Sequence, residues 1–153
     1  MSIQSFVDSA IMLYENDKYY EALCLTCIAI DACSAKIHSS ETSNAKRYKQ
    51  FLKSYFRTIC EFGFPGISAS SIRIKVNSAV EGLRLDDKGY VDMEQIIYHI
   101  LRCGLVHNCK IEETIEFTED TIIGDWEEDK FYIPKRIIWG LIAAVKSASD
   151  EQL

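Results

Sequence analysis

No apolar run in this sequence approaches the ~20 residues that a helix needs to cross the hydrocarbon core of a bilayer, so a helical membrane span is excluded. The opening stretch, MSIQSFVDSAIMLYEND, has acids where a secretion signal has bases. No small-residue cleavage site follows an apolar core, and the expected compartment is the cytoplasm. The CLTC pair, Cys24 and Cys27, has zinc or redox spacing, but no second such pair follows and no strand leads into it, which leaves that chemistry weakly indicated. Basic charge is also short: 17 Lys and Arg against 23 Asp and Glu leave a net charge of −6. Non-specific coating of nucleic acid is driven by phosphate neutralisation and is disfavoured, although a local basic face remains open. Repeats, linkers and low-complexity tracts are lacking, and the length suits one domain over residues 1–153.

Six cysteines are present, Cys24, Cys27, Cys33, Cys60, Cys103 and Cys109. They sit mostly inside apolar helical patterns and read as buried free thiols rather than a disulfide scaffold. Residues 3–15 put Ile3, Phe6, Val7, Ala10, Ile11 and Leu13 largely on one helical face, closed by END. Residues 18–38 are apolar nearly all round, the mark of a helix buried among others, with Asp31 as the interior carboxylate and His38 on the same face. Such a carboxylate ordinarily caps or pairs with something. The run 44–62 carries Tyr48, Phe51, Leu52, Tyr55, Phe56, Ile59 and Phe62 at helical spacing and stops at GFPG. A further helix is predicted from about Ser70 to Leu83, then a loop at RLDDKGY. Asp92 and Gln95 have capping-box spacing and predict a helix from Met93. From Thr114 the period changes to alternation, which predicts an acidic β-hairpin or small meander at about 112–133, and Pro134 is placed to open a last helix. The expected fold is mainly α, a helical bundle with a small β-hairpin inserted before the last helix.

The stretch IIYHILRCGLVHN, residues 96–108, sets one arginine and two histidines in an apolar helical run, where each needs water, a partner or a task. In one reading Arg102 and His107 complement the C-terminal dipole of their helix. In a second, His99, Cys103 and His107, four apart, stack along one face as metal ligands do. In a third, Arg102 and His107 act on a phosphate, the first as a planar charged fork and the second as a proton carrier. Five residues of ideal helix set the two side chains roughly 140° apart. A working pair therefore needs a kink, which Gly104 would supply, or a second copy of the chain.

The string LRCGLVHN resembles the Arg-x4-6-His signature of HEPN domains, the helical family that includes toxin ribonucleases, abortive-infection effectors and the RNA-cleaving domains of CRISPR effectors. The likeness extends to an early helix with an internal acid, here YYEALCLTCIAIDACSAKI, and to the motif near the end of a late helix, over roughly residues 5–110. It implies a HEPN-like bundle and a metal-independent endoribonuclease with no cofactor, acting as a homodimer in stress or phage defence. Arg102 and His107 of two protomers would form the catalytic set, with Asp31 orienting one of them. The sequence departs from the family at Cys103, where active members often have Asn, Asp or His, and at Cys109, where many toxin members have tyrosine. A non-catalytic dimerisation or binding module is the rival expectation, and a helical adaptor that docks a protein through its hairpin the more distant one.

Lys46, Lys49, Lys53 and Arg57 recur every three or four residues and make the one sustained basic stripe, the expected path for single-stranded RNA. Glu112, Glu113, Glu116, Glu119, Asp120, Asp125, Glu127, Glu128 and Asp129 concentrate negative charge around the hairpin, which is expected to restrict access or to dock a protein partner.

Overall fold

The computed structural model of the chain describes residues 1–77, 82–105, 115–121, 123–125 and 130–152. Helix α1 spans Ile3–Glu15 and is fixed at its start by reciprocal bonds between Ser2 and Ser5, a capping box that satisfies two N-terminal donors. Its inner face buries Val7 and Ala10 against α2, Tyr19–Ile37. As expected from its composition, α2 packs among several neighbours, burying Ala22, Leu23, Cys27, Ala29, Ile30 and Cys33. One flank stays partly open, however: Leu25, Ala32 and Ala35 are half-buried and Ile28 is exposed.

The run 44–62 is two helices rather than one, α3 (Asn44–Ser54) and α4 (Phe56–Gly63), because Tyr55 leaves helical geometry at φ −106°, ψ 15°. The break lets α4 turn onto the last helix, α6 (Ile137–Gln152), while α3 stays against α2. Glycines make the α4–α6 crossing close. A Cβ on Gly140 would fall 2.5 Å from the Ile59 carbonyl oxygen and 3.1 Å from the Gly63 nitrogen.

Of the helix expected from Ser70 to Leu83, the described residues 70–77 are not helical, and 78–81 lie outside the described residues. Arg73–Lys75 is strand β1, paired antiparallel with β2, Tyr90–Asp92, with Ile74 opposite Val91. The reason lies in Ile72-Arg73-Ile74-Lys75-Val76, a strict alternation of β-branched and charged residues that buries Ile74 and Val76 and exposes the two bases. The Asp86 carboxylate closes the connecting turn by accepting from the Lys88 and Tyr90 backbone amides and from Arg73.

Strand β2 runs directly into α5, Met93–Ile96, starting at the expected residue. The Asp92 side chain makes no capping bond and lies 3.4 Å from Arg73 instead. From Ile97 to Arg102 the helix widens into π geometry, with the Cys103 amide bonded back to the Tyr98 carbonyl. π turns are rare and recur at functional sites. Gly104 remains helical, so the change of winding precedes it.

Among the described residues the second sheet has the order β3-β5-β4, from Ile115–Thr118, Gly124–Asp125 and Phe131–Pro134. β4 and β5 form the expected antiparallel arm, and β3 joins β5 in parallel. Pro134 closes β5 opposite Thr118 rather than opening the last helix, which begins at Ile137. A proline at a strand end forfeits no ladder donor. Phe117 and the Tyr20 hydroxyl, bonded to the Ile115 carbonyl, seat the sheet on the start of α2. Buried side chains from Val7 to Ala148 join one core, and the fold is mainly α with small β elements. Among the described residues, no helix is long and apolar enough to cross a membrane.

Candidate functional site

Two of the residues singled out in the sequence meet across 71 positions. Arg102, at the end of the π turn, donates from Nε and from Nη2 to the same Asp31 oxygen, each at 3.3 Å. The Arg102 side chain is 13% exposed and that of Asp31 32%, so the pair sits at the floor of the surface rather than in the core or out in solvent. Burial pushes the Asp31 carboxyl above its ordinary range, opposed by the guanidinium of Arg102 and the more distant Arg47. Burial also works against the Arg102 charge, but Asp31, Tyr98 and Cys103 outweigh it and raise the guanidinium. The two groups differ: burial outweighs Arg102 at the Asp31 carboxyl, whereas Asp31, Tyr98 and Cys103 outweigh burial at the guanidinium, so the pair holds Arg102 charged and in place more than it stabilises the fold.

Aromatic rings complete the surroundings. The Arg102 guanidinium lies over the Tyr98 ring at 5.3 Å, and the Lys49 ammonium lies 5.1 Å from the same ring. Such cation–ring contacts are favourable when partly desolvated. Tyr98 meets the fully buried Tyr48 edge-on at 5.4 Å. The Tyr48 hydroxyl is fully buried beside Cys27, whose thiol burial pushes up to about 12. Cys103, the residue after the arginine, lies 3.9 Å from Arg102 Nη1.

The remaining expectations divide. His107 and Cys109 lie outside the described residues, as do Glu112, Glu113, Glu127, Glu128 and Asp129 of the acidic segment. Lys46, Lys53 and Arg57 are exposed, but Lys49 leaves the stripe and turns inward over Tyr98. Arg57 is carried on α4, beyond the break at Tyr55. Glu116 and Glu119 are engaged by Lys130 and Lys135 at 3.7 and 2.7 Å. Five cysteines, Cys24, Cys27, Cys33, Cys60 and Cys103, are free thiols, three of them buried. His99 packs against Gly82. Burial and the nearby Lys49 lower its pKa, so it is neutral at pH 7.

Tyr98 and Lys49 were not singled out in the sequence as members of one cluster. A signal existed for the first, since Tyr98 and Arg102 are four apart on one helix, the spacing at which side chains meet. None existed for Lys49, whose inward turn depends on how α3 packs beside the π turn. The assembled site offers a fixed guanidinium, a second cation and an aromatic wall, a set that suits an anionic oxygen. No curated protein and no solved structure matches the sequence. A profile of the Rv1289 family, whose function is unassigned, matches residues 2–152, and the chain belongs to the Rv1289 family.

Proposed function

We propose that this chain is a metal-independent endoribonuclease of the HEPN kind, working in the cytoplasm as a homodimer in stress or phage defence. In this reading the ribose 2′-oxygen attacks the adjacent phosphorus and the bond from phosphorus to the 5′-oxygen breaks, leaving a 2′,3′-cyclic phosphate and a 5′-hydroxyl. His107 of one protomer takes the 2′ proton and passes it to the leaving oxygen, and Arg102 of the other neutralises the crowded phosphoryl oxygens. Asp31 is a positioning residue, holding the guanidinium in place. The observation that carries the reading is the Asp31–Arg102 pair, which joins the motif arginine to the internal acid of α2 at a partly exposed site.

The homodimer is supported by the open flank of α2. Leu25, Ile28, Ala32 and Ala35 recur at alternating spacings of three and four, the seam of paired helices, beside Asp31. A second copy on that seam would bring two Asp31–Arg102 pairs toward one axis and double the set of catalytic groups. Lys46, Lys53 and Arg57 guide single-stranded RNA toward the site, and the acidic segment restricts access or docks a protein partner. One specific feature favours the non-catalytic alternative, a dimerisation or binding module: Arg102 is already engaged by Asp31 and is followed by Cys103. Incubating the pure protein with labelled single-stranded RNA in EDTA, beside His107→Ala, separates the two. Cleavage in EDTA that is lost in the variant supports the enzyme. Cleavage that needs metal, or that persists unchanged in the variant, defeats it.

A further inference from the structure

Residues of the β1–β2 ladder and of the loop before β2 line, with Gln95 and His99 of the motif helix and Lys49 of α3, a cleft of about 540 Å³. That is within the usual span for small-molecule sites, roughly 300–1,000 Å³. Its charges sort into used and unused. Arg73 is engaged by Asp86 at 2.8 Å and by Asp92 at 3.4 Å, and Asp86 further accepts two backbone amides, so those three groups hold one another and the guanidinium offsets one of the two carboxylate charges. Lys49 and Arg84 also line the cleft, and neither has an ion-pair partner among the described residues. Glu94 is near enough to favour the Lys49 charge without bonding it. His99 forms the floor, half-buried, and is fitted so closely beneath the loop that a Cβ on Gly82 would fall 2.9 Å from its Nδ1. Gly82 holds φ +80°, so both backbone and space demand glycine there. At the rim, Tyr90 and Leu85 are each 38% exposed, large apolar surfaces left facing the opening.

We infer that this cleft binds a ribonucleoside monophosphate unit, its phosphate between Lys49 and Arg84 over His99 and its base against Tyr90 and Leu85. Two cations that line one cleft without an ion-pair partner among the described residues are what a phosphate recruits, and a neutral imidazole adds a donor without adding charge. An aromatic face beside them accepts a base by stacking, which works for any base because each has a π-face. Asp86 and Asp92, locked by Arg73, keep the cleft from being a general anion trap and present acceptors to ribose hydroxyls. The position relative to the first site matters too. Lys49 and Arg102 each lie about 5 Å from the centroid of one ring, so the two sites are at most about two such radii apart. The inference goes beyond the ribonuclease reading and does not require RNA cleavage. With cleavage, the cleft holds a nucleotide flanking the one that reacts; without it, the cleft holds a free nucleotide.

Calorimetric titration of the full chain with adenosine 5′-monophosphate, adenosine and inorganic phosphate tests this. The nucleotide is expected to bind more tightly than either fragment. Losing a charged hydrogen bond should weaken it about tenfold or more in Lys49→Met, which keeps the apolar stem, and in Arg84→Ala, an exposed position. Tyr90→Ala should remove the advantage of nucleotide over phosphate, and Lys146→Ala, exposed on α6, should change nothing. A short single-stranded RNA that competes with the nucleotide places the cleft on the path of a strand, and one that does not assigns it to free nucleotide. No binding at millimolar nucleotide, equal affinity in wild type and in both cation variants, or phosphate binding as tightly as nucleotide would overturn the inference. RNA cleavage that proceeds normally in Lys49→Met and Arg84→Ala would sink the flanking-nucleotide role while leaving the ribonuclease reading untouched.

Discussion

At the residue scale, Asp31 shows how a weak pair can still be specific. Its carboxyl is raised by burial and held down by Arg102, so the two effects can be separated by titration. Carbon NMR of the Asp31 carboxyl should place its folded pKa above the ordinary 3.8, and Arg102→Ala should move it higher still. A downward move in the variant would show that the guanidinium is not the opposing charge. The sign for stability follows. A raised folded pKa means that the folded chain holds this proton more tightly, so the contribution is fully present below pH 3.8 and is lost as pH rises through the folded value. If Asp31 positions Arg102, Asp31→Asn should reduce RNA cleavage and Asp31→Glu should restore part of it. Cys27, pushed up to about 12, and the equally buried Cys33 and Cys60 should resist a thiol reagent until the chain unfolds, while Cys103 and Cys24, half-buried, react first. Mass spectrometry of the labelled native protein reads that order.

At the element scale, two glycines in helices make opposite predictions. Gly140→Ala gains about 1 kcal/mol of helix propensity, but the new methyl meets the Ile59 carbonyl oxygen at 2.5 Å, and overpacking of that kind costs about 1–3 kcal/mol. Backbone cannot yield as a side chain does, so the melting temperature should fall. Gly104→Ala meets nothing within 4 Å among the described residues and keeps the propensity gain, so the melting temperature should rise. A fall at Gly104 would mean that its residue is needed small for reasons other than packing. The π turn at Ile97–Arg102 and the break at Tyr55 belong to the same scale. The first sets where Arg102 and Tyr98 face, and the second frees α4 to meet α6 while α3 brings Lys49 to Tyr98.

For the whole molecule, the expected assembly places the α2 seam at a two-fold axis. Ile28→Glu should then convert a dimer into a monomer in sedimentation at tens of micromolar, on the order of ordinary dimer affinities, without loss of helical signal. A dimer that survives the charge would move the interface elsewhere. Mixing inactive Arg102→Ala chains with inactive His107→Ala chains should recover partial activity if each site draws one residue from each protomer. Recovery is absent if each chain carries its own complete site.

The mainly α class, the boundaries of α1 and α2 and the stop at Gly63 were legible because each rests on local physics, an apolar period or a breaker, whereas the helix starts at Met93 without the Asp92 cap from which that start was read. Asp31 and Arg102 were also legible one at a time, since a charged group in an apolar helix must find a partner. Their meeting was not, because 71 residues separate them and only the packing of α2 on the π turn sets the distance. The same holds for the strand at Arg73–Lys75. Its alternation is five residues long, too short to outweigh a helical reading until β2 pairs with it. Lys49 is the sharpest case: within its helix it is one more base on a solvated stripe, and a neighbouring ring on another element turned it inward. Local sequence thus determined which segments fold and which side chains need partners. Tertiary packing alone decided which partners those were, because contact between distant residues depends on the approach of whole elements and no spacing along the chain encodes it.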